Sequence, residues 1–247
     1  MTHPAGDRAV VPDPLAYDAA LRKRVAANLA GHERWVADLA DRPHAAVAVV
    51  LVDSTAQDVV TWARDGDGMV DEDPRLPHKR LLGAAGGAAF LLCRRALTMR
   101  LHPGQFALPG GRLEPGESVV EAALRETHEE VGLELAPDQV LGLLDDYETR
   151  SGFVMTPVVV WGGAAQVRPD PSEVHAVFRI GLHQLQRPDS PRFTTIAESD
   201  RPVVSVPLGE ALIHAPTAAV LVQLNWLGLL GLADPVHDFE QPVFAWR

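Results

Sequence analysis

Three glutamates, Glu126, Glu129 and Glu130, occupy positions i, i+3 and i+4 of the stretch from Gly111 to Leu133. At 100° per residue on a helix they fall on one arc, and three carboxylates so close repel each other unless a cation sits among them. Hard oxygen donors favour Mg²⁺ or Mn²⁺ over softer metals. Arg125 borders this arc, and i±4 spacing lets it pair with Glu121 or Glu129 and hold a carboxylate in position. A solvated helix, with glutamates that serve only solubility, has the same local pattern. The surroundings of the three acids therefore decide between the two readings.

A helix is well specified here. Ser118 is a good N-cap, and Glu121 three places on completes a capping box that satisfies the first free amides. Gly132 stops the helix as a residue able to adopt positive φ. Val120, Ala123, Leu124, Thr127 and Val131 fall on a separate arc that can pack on a sheet. The glutamates are thus read as an exposed face, where Glu129→Gln and Glu130→Gln should leave the fold intact.

The order Gly111, Glu117, Arg125-Glu126, Glu129-Glu130, Gly132-Leu133 resembles the Nudix box, with Thr127 where that family usually has an aliphatic residue. A second, narrower resemblance precedes it. Leu91, Leu92, Arg95, Ala96, Arg100, Gly104, Pro109, Gly110 and Gly111 are similar to the signature of the coenzyme A diphosphatase branch, with Cys93 for a usual Thr and Leu108 for a usual Phe. Asp170-Pro-Ser-Glu-Val174 resembles the family's Pro-x-Glu-Val element.

The resemblance implies an α/β (α+β) Nudix fold: a mixed β-sheet sandwiched between α-helices, with an added N-terminal helix. It implies a metal-dependent hydrolase that cleaves a nucleoside diphosphate linked to another moiety by water attack on phosphorus. Such displacement needs charge neutralisation and alignment more than covalent chemistry. Glu126, Glu129 and Glu130 become the expected Mg²⁺ or Mn²⁺ ligands, and Glu117 either an outer ligand or a charge at the helix start. Gly110 and Gly111 would let the chain turn closely past the diphosphate. One of the box glutamates or Glu173 would act as base, with His102 and His175 weaker candidates. Arg95 and Arg100 are either surface ion-pairing residues or a basic rim for an extra phosphate, such as the 3′-phosphate of coenzyme A. Coenzyme A or a derivative is the expected substrate, giving 3′,5′-ADP and 4′-phosphopantetheine. ADP-ribose or NADH is the alternative, and a non-catalytic binding module is a third reading that the intact glutamates disfavour.

Composition sets bounds on these readings. With 33 acidic against 22 basic residues, the net charge of −11 opposes a nucleic-acid surface but not a small polyphosphate bridged by metal. The single Cys93 cannot form an internal disulfide and lies in an apolar run, where a buried, inert thiol is expected. No secretory signal is legible, and a cytoplasmic setting without membrane contact is expected.

Along the chain, residues 1–14 read as a tail. Leu21, Val25, Leu29, His32, Val36 and Leu39 then predict one amphipathic helix from about Leu15 to Ala40, ended by Pro43. Residues 1–43 are read as an N-terminal attachment and 44–247 as the Nudix domain. Strands are expected at Ala45–Val52, Ala88–Cys93, Val140–Leu144, Val154–Trp161 and Val174–Ile180, with a weaker one at Phe193–Glu198. Arg64 to Pro74 reads as a solvated hairpin loop, since its acids fail the EF-hand spacing. Ala218 to about Leu232 reads as a late helix, apolar nearly all round, for the core or a homodimer contact. Gln241–Trp246 reads as an edge strand.

Overall fold

The computed structural model describes residues 11–55, 57, 60–63, 81, 84–100, 102–164 and 166–246. Residues 1–10 of the expected tail and the Arg64–Pro74 loop lie outside them. The elements run α1 (Ala19–Ala30), β1 (His44–Ser54), β2 (Val60–Trp62), β3 (Gly87–Arg95), β4 (Phe106–Ala107), β5 (Gly110–Arg112) and α2 (Val119–Val131). There follow β6 (Val140–Leu143), β7 (Tyr147–Glu148), β8 (Val154–Gly163), β9 (Val174–Gly181), β10 (Arg192–Ile196), β11 (Ser199–Leu208), β12 (Ala211–His214) and α3 (Thr217–Gln223).

Continuous apolar runs rich in valine make the central strands, as burial on both faces requires. The main sheet has the order β2-β9-β3-β1-β8-β6, with β4, β5 and β7 paired onto β3, β1 and β8. β1 and β8 are parallel, and the other pairs antiparallel, so the sheet is mixed as expected. One face carries α2, where Ala46, Ala48, Val50, Leu91 and Cys93 meet Ala122, Ala123 and Val131. Val131 is fully buried, which stabilises by roughly 2 kcal/mol through transfer from water. The other face carries α1, α3 and the small sheet β10-β11-β12, through Val49, Leu51 and Phe90 against Leu21, Val25, Val206 and Leu221. Helices therefore cover both sides of the main sheet. Cys93 is buried, and burial pushes its thiol well up, consistent with an inert role.

Four expectations need correction. The first helix ends at Gly31, and residues 33–39 run without helix. Two carboxylates distant in sequence take over that backbone: Asp145 accepts from Trp35 N–H (2.8 Å) and Asp146 from Ala37 N–H (3.0 Å). Val36 and Leu39, expected on the packed face, are exposed. The late helix keeps α-geometry only over α3 and continues as a π-turn at Leu224–Leu229, buried on most sides. Gln241–Trp246 is no strand; a 3₁₀ turn spans Val243–Trp246. Strands β11 and β12 were not expected at all. No helix among the described residues is long and apolar enough to cross a membrane.

Candidate active site

α2 forms as its sequence dictates. Ser118 Oγ accepts from Glu121 N–H (3.2 Å) while Glu121 accepts from Ser118 N–H (2.8 Å), and Gly132 closes the helix at φ 69°. Thr127 is accommodated on the buried face because its hydroxyl donates to the Ala123 carbonyl one turn back (2.7 Å).

The acids do not form one exposed face. Glu129 is exposed, Glu126 is partly covered and Glu130 is buried. Glu121, as a capping residue, is not the partner of Arg125. Arg125 instead grips Glu117 at two points (Nε–Oε1 2.8 Å, Nη2–Oε2 3.0 Å) and also donates to Glu126 Oε1 (3.0 Å), Glu129 Oε2 (2.9 Å) and the Arg112 carbonyl (3.1 Å). Its guanidinium is the cation among the carboxylates, and its hydrogen bonds, to Glu117 above all, hold its pKa above the ordinary value. Glu117, which also accepts from Glu114 N–H (2.8 Å), is kept below the usual carboxylate range, chiefly by its Arg125 hydrogen bonds. It thus anchors Arg125 at the start of the helix.

Glu130 stands apart from that network. Among the described residues it accepts only a long hydrogen bond from Gly110 N–H (3.3 Å), and burial, reinforced by repulsion from Glu126, raises its carboxyl to about 8. Glu126 is also raised, mainly by burial and against the pull of Arg125. Glu173 is near enough to push up both. The loop carrying it is tied across the end of α2: Asp170 N–H donates to the Glu130 carbonyl (3.0 Å), and Ala96 N–H to the Glu173 carbonyl (2.7 Å).

The Gly110–Gly111 turn meets these acids directly. A Cβ on Gly111 would lie 2.2 Å from Glu126 Oε1, and one on Gly110, at φ 156°, would lie 2.3 Å from the Ala46 carbonyl oxygen. Arg95, at the end of β3, is half-buried; its Nε is buried without a hydrogen-bond partner, and its charge counteracts the rise at Glu130. Arg95 is thus close enough to the carboxylate cluster to act on Glu130. Arg100 is exposed on the following loop. His102 sits in the same loop with φ 53°, and His175 packs edge-on to Trp62 (5.5 Å) beside β2; neither faces the acids through any contact described. A cleft of about 440 Å³ lined by Asp53, Ser54, Thr61 and Arg179 lies at the opposite end of β1 and is unrelated to this chemistry.

Residues 81–204 match the family profile described as the NUDIX domain, half of the chain. The chain belongs to the Nudix family. A protein named "Uncharacterized Nudix hydrolase NudL" from Enterobacter sp. (strain 638) is 39% identical over 99 residues, 39% of this chain and 52% of that one. Nudix hydrolase 3 of Caenorhabditis elegans is 36% identical over 110 residues, 42% of this chain and 46% of its own. The chain thus spans about half the length of these curated relatives. Among solved structures, a MutT/nudix family protein from Enterococcus faecalis aligns over 85% of this chain and 73% of its own at 15% identity, TM-score 0.46.

Nudix hydrolases use divalent metal ions, and the donors here are of the right type: hard oxygens, with Glu130 buried near Glu126 and bonded to no cation among the described residues. As the side chains stand, no three His, Cys, Asp or Glu residues among the described ones are gathered closely enough to hold an ion. Arg125 engages Glu126 and Glu129 itself. A divalent cation would compete with its guanidinium for those two carboxylates. Arg94, which the sequence did not single out, is buried and donates from Nε to the Gly104 carbonyl (3.2 Å), fixing the loop that follows β3.

Proposed function

We propose that this protein hydrolyses the diphosphate linkage of a nucleoside diphosphate derivative, with coenzyme A or an acyl derivative as the substrate. The observation that carries the reading is the pair of partly covered Glu126 and buried Glu130 beside the Gly110–Gly111 turn, with the Nε of Arg95, unbonded among the described residues, near it. Mg²⁺ or Mn²⁺, bound by Glu126, Glu130 and Glu129, would supply polarisation of phosphorus and a more acidic water. The bare Gly110–Gly111 backbone gives the diphosphate close approach, and the Arg95 guanidinium offsets its charge. Glu173 takes the proton as water oxygen bonds to phosphorus and the bridging P–O bond breaks. Coenzyme A would yield 3′,5′-ADP and 4′-phosphopantetheine. Residues 44–247 form the catalytic domain, with α1 from the N-terminal attachment packed into its core.

Incubation with coenzyme A, dephospho-coenzyme A, ADP-ribose and NADH, each with Mn²⁺ or Mg²⁺, tests the reading by chromatography of the products. Fastest turnover of coenzyme A supports it. Preference for ADP-ribose or NADH replaces the substrate while keeping the reaction, and no cleavage of any of the four overturns it.

A further inference from the structure

A diphosphate seated at the Gly110–Gly111 turn has two arms, and the carboxylates and Arg95 serve only the linkage between them. Strand alternation puts the next side chain, Arg112, on the face of β5 opposite the one Gly111 presents to Glu126. Arg112 is exposed, and its guanidinium lies 4.6 Å from the centre of the Phe153 ring. Its position is fixed at both ends. Its carbonyl accepts from Arg125 (3.1 Å), and the ring of Phe153, just before β8, lies under the guanidinium carbon.

No hydrogen bond or ion pair engages the Arg112 guanidinium among the described residues. Acids of neighbouring segments are paired with other arginines: Glu148 with Arg42 (2.6 Å), Glu240 with Arg150, and Glu117 with Arg125. Glu114, two residues on, is exposed. In a chain with eleven more acids than bases, a guanidinium left without an acid beside the catalytic turn is not explained by ion pairing. With its central carbon over the Phe153 ring and no hydrogen bond among the described residues, the guanidinium keeps its N–H donors for a ligand, and such a fork can meet phosphate oxygens two at a time.

We propose that Arg112, supported by Phe153, binds an additional phosphate monoester carried on one arm of the diphosphate substrate, and so sets preference for substrates that bear it. This deepens the proposed function and rests on it. It assigns to Arg112 the extra-phosphate role expected for Arg95 and Arg100.

The test compares coenzyme A with dephospho-coenzyme A, which lacks the extra phosphate, in the wild type and in Arg112→Ala, Arg112→Lys, Phe153→Leu and Arg100→Ala. Arg112→Ala should raise KM for coenzyme A by about tenfold, the loss of one charge-assisted contact, with kcat little changed and dephospho-coenzyme A unaffected. Arg112→Lys should recover part of that loss, because charge remains but the fork is gone. Phe153→Leu should give a smaller loss of the same selectivity. Binding of 3′,5′-ADP against AMP, measured by calorimetry, should weaken selectively in Arg112→Ala without reference to turnover. An equal KM rise for both substrates, no change, or a selective loss in Arg100→Ala instead overturns the proposal. Absence of wild-type cleavage of any diphosphate defeats the proposed function, whereas wild-type cleavage with an unaltered Arg112→Ala defeats only this inference.

Discussion

Arg125 reaches back eight residues along the chain to grip both carboxylate oxygens of Glu117, at 2.8 and 3.0 Å, while its third nitrogen reaches Glu126 and Glu129. One planar fork thereby ties the loop before α2 to two acids of the helix itself. A lysine carries the charge but cannot reproduce that bidentate geometry. Arg125→Lys should therefore fold and melt within a few degrees of wild type yet lose about ten- to a hundredfold in kcat, as positioning losses do. Glu117→Gln should lose part of the same activity. The double variant should be no worse than Arg125→Lys alone, because both substitutions break one contact. Additive losses in steady-state kinetics would show that the two residues act separately.

Gly111 owes its lack of a side chain to Glu126, whose Oε1 stands 2.2 Å from where a Cβ would be. In Gly111→Ala the carboxylate must swing aside, and flexible side chains yield more readily than the strand pairing of β5 with β1. The expected result is a native far-ultraviolet circular dichroism spectrum with diphosphatase activity reduced at least tenfold, the effect of moving a charged group by about 1 Å. Wild-type kinetics in this variant would remove Glu126 from the site.

How much of this was legible beforehand differs between the local and the distant. α2 could be read because its cap, its stop and its packed arc all lie within one short segment, and β1, β3, β8 and β9 because burial on both faces leaves unbroken apolar runs. The first helix was overextended because Asp145 and Asp146, more than a hundred residues away in the chain, take the backbone amides of Trp35 and Ala37. β11 was hidden by its prolines, Pro202 and Pro207, which local propensity scores against a strand. Within the site, residue identity was visible but depth was not. Glu130 is buried, and no helical periodicity contains that information.

That burial corrects the expectation for Glu130→Gln and gives it a sign. The folded-state pKa of Glu130 is raised to about 8 from an ordinary 4.5, so the folded form holds a proton that the unfolded form has already lost. Its contribution to stability is fully present below about pH 4.5 and is lost as pH rises through about 8. In EDTA, thermal melts of the wild type should fall in Tm across this window, and those of Glu130→Gln should fall less. The uncharged amide should therefore be as stable as wild type or more so at pH 9, while diphosphatase activity falls by orders of magnitude. Mn²⁺ should raise the wild-type Tm more than that of the variant. Identical pH slopes for the two proteins would mean that Glu130 is not buried as a carboxyl.

Glu240 presents the opposite case far from the chemistry. Its carboxylate is nearly fully buried, accepts two hydrogen bonds from Arg150 and a third from Gln241 N–H (2.8 Å), and is held down at about 2, principally by Arg150. Gln241 in turn accepts from Arg150 N–H (2.6 Å), so the pair ties the C-terminal segment to the β7–β8 turn. A depressed folded-state pKa stabilises above the unfolded value of 4.5, and that contribution is lost as pH falls through about 2. Glu240→Gln should thus cost about 2 kcal/mol at pH 7, the scale of a charge-assisted hydrogen bond, and the deficit should shrink steadily between pH 5 and 2. Denaturant unfolding at several pH values reads both quantities. A deficit that stays constant into acid would show that packing, and not the charge pair with Arg150, holds this end of the chain.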